Sequence, residues 1–239
     1  MKCGNAAFFD EGKVVQTMGE HVEQGLEVID LYIARNYHLK IARILDLSDT
    51  ICKAALYASY AFHDVGKCAE VYQKNRSSFK GHEYISAKTI AESTIPPLDA
   101  ARASLLRDSI VLAIVLHHHT MKGRSIKLPS KVTLCEDCLA EVITAFSRRL
   151  RIRDKVYVPT TIANPTSIID EILERHEENK SRLMKVTFLI LIPVMVADNY
   201  SARNRNGKGT SLSSESVKVY NTIKYYYDVM MSRFGRQLK

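Results

Sequence analysis

Apolar positions along this chain recur mostly at the spacing of one helix face. In HVEQGLEVIDLYIARNY (21–37), Val22, Leu26, Ile29 and Ile33 fall three or four residues apart, which predicts an amphipathic helix. ICKAALYASYAF (51–62) repeats the pattern with Ile51, Ala54, Ala55, Ala58 and Phe62. After the Pro96–Pro97 break, LDAARASLLRDSIVLAIVLHHH (98–119) has the length and composition of a long helix entering the core. Asn164 followed by Pro165 suits the N-cap and first turn of a helix through SIIDEILERHEENK, and SVKVYNTIKYYYDVMMSRF (216–234) predicts a C-terminal helix. The longest apolar run, VTFLILIPVMVA (186–197), is too short to span a bilayer and contains Pro193. It reads as a buried core helix that leads straight into Asp198.

Strand signals are few. NAAFFDEGKVVQTM (5–18) predicts a short hairpin around Glu11–Gly12, and KVYVP (155–159) a short extended piece. The polar stretch RNRNGKGTSLSSES (203–216) reads as a loop. Its GKGT is no phosphate-binding P-loop, because the glycine required five residues earlier is Ala202. No internal repeat is visible. The expectation is one all-α domain over residues 1–239, with a short N-terminal β-hairpin or extended segment.

Charge narrows the partners. The formal net charge is +8 at pH 7, a field that favours polyanions, most simply nucleic acid. The five cysteines are an odd number and point to a reducing, cytoplasmic setting. Cys135 and Cys138 form a CxxC pair, read as two cysteines on one helical face, since Cys3, Cys52 and Cys68 offer no second pair at zinc-site spacing.

The candidate chemistry lies in the histidines. His21 opens a predicted helix, His63 closes another, His82 opens a third, and His117, His118 and His119 close the long one. Burying charged imidazoles is costly, yet HDVGK and LHHHT each follow directly on hydrophobic helix. A shared divalent metal resolves this, because neutral imidazole and carboxylate ligands exchange lost hydration for metal bonds. Adjacent helical residues point about 100° apart, so His63 and Asp64 can serve a common site only near a helix end. Gly66 would permit close backbone approach, and Lys67 lies one turn from Asp64, able to hold its carboxylate or a phosphate.

The blocks EHV (20–22), HDVGK (63–67), GHEYISA (81–87), LHHHT (116–120) and VADNYSAR (196–203), in this order, resemble the HD superfamily of metal-dependent phosphohydrolases. More specifically they resemble the stand-alone CRISPR-associated HD nuclease, over residues 5 to 203. The resemblance implies an HD helical bundle with one metal on His21, His63, Asp64 and Asp198. A second metal would share Asp64 and take His82 with two of the three consecutive histidines. The His117–His118 pair is preferred, with His118–His119 left open.

It implies DNA phosphodiester hydrolysis in antiviral defence, on single strands preferentially, by a metal-bridged hydroxide, with Asp64 and Lys67 catalytic. Whether the cut is exonucleolytic or endonucleolytic stays open. The implied partners are a separate helicase subunit and an RNA-guided CRISPR complex, in a prokaryotic cytoplasm and without a membrane. Two roughly six-coordinate ions need about twelve bonds, of which the seven side chains give about eight, leaving about four for water and phosphate. Five imidazoles favour Mn, Fe, Co or Ni over Mg. Lys122, Arg124 and Arg203 are candidate phosphate contacts, and Tyr72, Phe79 and Tyr84 are candidates either for base stacking or for the core. The family's hydroxyl residue four positions after the late aspartate is replaced here by Ala202, with Ser201 one position earlier. The alternative is a phosphohydrolase of nucleotides or cyclic dinucleotides, or an RNA nuclease.

Overall fold

A computed structural model describes residues 3–76, 78–99, 103–118, 128–151 and 155–202. His119, Lys122, Arg124, Arg203, the loop from 203 and the helix predicted over 216–234 lie outside the described residues. The chain opens with an antiparallel hairpin, β1 (Ala6–Asp10) and β2 (Lys13–Thr17), turning at Glu11–Gly12 as the sequence predicts. Thr17 then caps α1 (Met18–Ala34). Its hydroxyl accepts from the Glu20 amide at 3.2 Å, and the Glu20 carboxylate accepts from the Thr17 amide at 2.8 Å. This reciprocal cap starts the helix three residues before His21 and so places His21 inside the first turns.

Eight further helices are described: α2 (His38–Leu45), α3 (Asp49–Phe62), α4 (Glu70–Asn75), α5 (His82–Glu92), α6 (Ser104–Leu116), α7 (Glu136–Leu150), α8 (Ile168–Arg175) and α9 (Lys180–Ala202). The all-α expectation holds. α9 packs against α1, α6 and α3, and the apolar faces of these helices make one core cluster that includes Val22, Leu26, Ile29, Phe62, Ile110, Ile190 and Val194.

Three local expectations change. The long helix expected from residue 98 is observed from Ser104, and residues 96–99 form turns instead. The helix expected over 167–180 is cut short. Asn164 adopts a left-handed conformation, Pro165–Ser167 form a 3-10 turn, and a second such turn at Glu177–Asn179 separates α8 from α9. KVYVP is extended but pairs with Thr94 only through Tyr157, while an unpredicted two-stranded sheet joins β3 (Lys131–Thr133) to β4 (Thr161–Ala163).

By length and composition Glu177–Ala202 could cross a membrane, with 44% of its most apolar window buried inside the fold. Its inner face carries Val186, Ile190 and Val194 into the core and Asp198 to a polar site.

The CxxC pair has partners after all. Cys135 caps α7 and bonds Cys3, and Cys138, one turn in, bonds Cys68. The fold brings the chain start and the end of HDVGKC to one place, which linear spacing does not show. With two bonds formed, the odd count leaves only the buried Cys52 as a free thiol, so parity says nothing about compartment. Buried disulfides persist inside some cells, those of hyperthermophiles among them.

The bonds close loops of 132 and 70 residues, and cross-links over such lengths are worth about 2–4 kcal/mol each. Reduction with a phosphine is therefore expected to lower the unfolding midpoint measured by circular dichroism. Titration of the unfolded, non-reduced chain should find one reactive thiol. Five thiols and an unchanged midpoint would refute the pairing.

Candidate metal centre

Five helices deliver side chains to one buried point, and the delivery depends on where each helix stops. α3 ends on Phe62, so His63 caps it and Asp64 leaves helical geometry at φ −107°, ψ 5°. A 3-10 turn, Val65–Cys68, follows at once. The two adjacent residues thereby face the same space, which a continuing helix forbids. His82 is the first residue of α5, His117 caps α6, His21 sits in α1 and Asp198 near the end of α9.

The Asp64 carboxylate is fully buried, and its two oxygens face different neighbours. Oδ2 lies 3.2 Å from His21 Nε2, 3.5 Å from His63 Nε2 and 2.5 Å from Lys67 Nζ. Oδ1 lies 2.8 Å from His82 Nε2 and 3.6 Å from His117 Nε2. Asp198 Oδ1 stands 3.5 Å from both His21 Nε2 and His63 Nε2. Two sets of candidate ligands result, each with its ligand atoms within 4.8 Å of one another: His21, His63, Asp64 and Asp198, and Asp64, His82, His117 and His118. Asp64 belongs to both.

The far side of each ring is tied down. His63 Nδ1 donates to the Tyr60 carbonyl at 2.6 Å, His82 Nδ1 to the Phe79 carbonyl at 2.5 Å, and His117 Nδ1 to the Ile114 carbonyl. A carbonyl only accepts, so Nδ1 of each ring carries the proton. Nε2 of His63 and His117 then keeps a lone pair aimed at the carboxylates, while His82 Nε2 is in hydrogen-bond contact with Asp64 Oδ1 at 2.8 Å. Nε2 of His63 and of His117 is buried without a hydrogen-bond partner. Buried orphan lone pairs beside two carboxylates are what a divalent cation satisfies, so these residues fit a metal.

The electrostatics agree. Burial opposes ionisation of Asp64, but the neighbouring His63, Lys67 and His82 outweigh it and hold the carboxyl well below the usual range. Burial opposes ionisation of Asp198 too, and the neighbouring His63 overcomes it. For His117 burial dominates and pushes the pKa down. His118 falls to about 2, chiefly through burial, with His117 and His82 beside it. At His63 burial acts downward, but Asp64 and Asp198 outweigh it and raise the value. The acids are thus ionised, and the His117–His118 pair is neutral and ready to ligate.

A model of the HD domain family matches residues 32–203. The chain belongs to the HD domain family. Members of this family are metal-dependent hydrolases that bind divalent ions through such histidine and aspartate sets. A curated relative, the CRISPR-associated endonuclease Cas3-HD of Pyrococcus furiosus, is 24% identical over 219 residues, covering 81% of this chain and 91% of the relative. His21 precedes the family match and joins this HD domain site by geometry.

Among the other candidates, Lys67 is buried on Asp64 with its amine 5.5 Å from the Phe79 ring. Phe79 stacks on Phe9 at 5.4 Å, Tyr72 is buried with its hydroxyl on the Lys80 carbonyl, and Tyr84 packs on the core. Arg148 and Arg149 pair with Glu23 and Asp30 of α1.

Sequence reading underrated the supports. Gly66 is necessary because a Cβ there would stand 2.2 Å from the His82 carbonyl oxygen and 2.9 Å from the Ser86 amide nitrogen, both backbone atoms. Its own amide donates to Ser86 Oγ at 2.8 Å. This contact holds the Asp64 turn against the start of α5. Gly66→Ala is expected to cost about 1–3 kcal/mol by overpacking and to abolish the rise in unfolding temperature on adding Mn2+. A variant that melts and responds to the ion like wild type would show that close approach does not position the site.

Proposed function

We propose that this protein is a metal-dependent nuclease of one domain, residues 1–239, that hydrolyses DNA phosphodiester bonds, preferentially in single strands. The observation that carries the reading is the division of Asp64, one oxygen toward His21 and His63 and the other toward His82 and His117. Such a carboxylate suits two divalent ions side by side, and imidazole-rich ligation favours Mn, Fe, Co or Ni over Mg. Bound there, the ions would acidify a water and offset charge on the attacking and leaving phosphoryl oxygens.

The chain's own residues do the rest. Asp64 and Asp198 fix the spacing of the two ligand sets. Lys67, held on Asp64, is in reach to donate to a phosphoryl oxygen, and the enclosing apolar helices lower the local dielectric. The +8 charge supports a polyanion over a mononucleotide. Lys122, Arg124 and Arg203 are assigned to phosphate contacts from sequence alone. The name of the Pyrococcus relative supports a CRISPR role, with a helicase subunit and an RNA-guided complex opening the strand in a prokaryotic cytoplasm.

Asp64→Asn removes charge from both ligand sets and is expected to reduce cleavage of labelled single-stranded DNA by at least about 1,000-fold, as EDTA should, with helicity unchanged. The assay runs beside duplex DNA, RNA, mononucleotides and cyclic dinucleotides under Mn2+, Ni2+, Co2+ and Mg2+. Wild-type cutting by the Asp64 variant would sink the site assignment. Turnover of nucleotides alone would replace the nuclease reading with a nucleotide phosphohydrolase.

A further inference from the structure

His21 differs from the other tied histidines. The rings of His63, His82 and His117 each donate to a carbonyl three residues back, at a helix end or turn where that carbonyl is available. His21 lies within α1, where the ladder occupies the nearby carbonyls, so its Nδ1 needs an acceptor from another element. It finds Ser201 Oγ at 2.9 Å.

Ser201 is fully buried on α9 and makes every contact its hydroxyl can support. Its proton goes to the Asp198 carbonyl at 2.8 Å, one turn back, which leaves the oxygen to accept from His21 Nδ1. Tyr60 Oη stands 3.1 Å from that oxygen and 3.0 Å from the His21 carbonyl, so its single proton serves one or the other. Gln16 Nε2 donates to the Ser201 carbonyl at 2.9 Å. One serine thus joins α9, α1, α3 and β2. Gly25 makes room for the Tyr60 ring, because a Cβ at that position would lie 1.9 Å from Tyr60 Oη.

We infer that Ser201, keyed by Tyr60, whose ring Gly25 admits, is a positioning residue that sets the His21 tautomer and ring angle, so that Nε2 faces Asp64 and Asp198. The inference rests on the reading of His21 as a metal ligand. Ser201 touches neither ion nor substrate in this role. It acts through His21 and ties the ring to the turn of α9 that carries Asp198, so both ligands of one set move together.

The test is Mn2+ titration by calorimetry on the full chain, comparing wild type, Ser201→Ala, His21→Ala and the double variant. Ser201→Ala should weaken one class of site on the order of ten- to a hundred-fold and leave the other unchanged. In the double variant, Ser201→Ala should add no loss to that of His21→Ala, since the serine has nothing left to position. Tyr60→Phe, which keeps the ring packing and the Ser201–His21 bond, should lose less than Ser201→Ala. If Ser201→Ala lowers only the unfolding temperature of the metal-free protein, with affinity intact, the serine is structural and the inference fails while the metal reading stands. Losses that multiply in the double variant also overturn it. If His21→Ala binds Mn2+ like wild type, the metal reading of His21 falls first and the inference falls with it.

Discussion

One buried carboxylate sets the terms for the rest of this molecule. Asp64 has no access to solvent, and an ionised carboxylate in that position is untenable without compensating charge at close range. Lys67 supplies one full charge at 2.5 Å. Imidazoles supply the remaining neighbours, and they divide between the two oxygens. Because the site also contains Asp198, two carboxylates face a single lysine across the imidazoles. The helices around it are arranged to tolerate that imbalance rather than remove it.

Tolerance comes from helix ends. A helix interior offers saturated backbone, whereas its ends expose carbonyls, and α3 and α6 use theirs to hold the Nδ1 of His63 and His117. The Phe79 carbonyl does the same for His82 at the start of α5. Each ring is thus oriented by its own local chain, and only the relative placement of the ends is left to tertiary packing. Gly66 settles the most demanding of these placements by letting the Asp64 turn meet the backbone of α5 directly. His21 and Asp198 come from within long helices instead, and their alignment depends on α1 and α9 packing side by side.

What the sequence disclosed follows the same division. The helix faces of 21–37 and 51–62 and the hairpin at Glu11–Gly12 were readable because periodicity and turn chemistry are local. The polar pair at 63–64 was conspicuous because it interrupts a hydrophobic helix. Membership of His21 and Asp198 in one set came only from the resemblance, since 177 residues separate them and no spacing rule reaches that far. The bonds of Cys135 and Cys138 to Cys3 and Cys68, the β3–β4 pairing and the role of Ser201 stayed hidden for the same reason. Each is a contact between segments distant in sequence. The turns at Pro165–Ser167 and Glu177–Asn179 are the opposite case, where a good local helix pattern is interrupted on both sides of α8.

Among the described residues, the two histidines outside the site show what separates a structural imidazole from a candidate ligand. His176 Nε2 meets Asp108 Oδ2 at 2.7 Å, and Arg175 holds the same oxygen at 2.8 Å, so the carboxylate already has a permanent cation and the ring a hydrogen-bond partner. His38 likewise pairs with Asp49, whose other oxygen takes Lys53. His38 has both ring nitrogens buried without a hydrogen-bond partner, as at the metal centre, but each of the two clusters already holds a permanent cation, and an added ion would meet repulsion from the arginine or lysine. At Asp64 there are two carboxylates, one lysine, and lone pairs on His63 and His117 that no donor claims. Lys67 sits on the Oδ2 side, beside the His21–His63 set. A phosphate entering there could take over the lysine's hydrogen bond, freeing Asp64 Oδ2 for a cation. Substrate and metal would then favour each other at one atom.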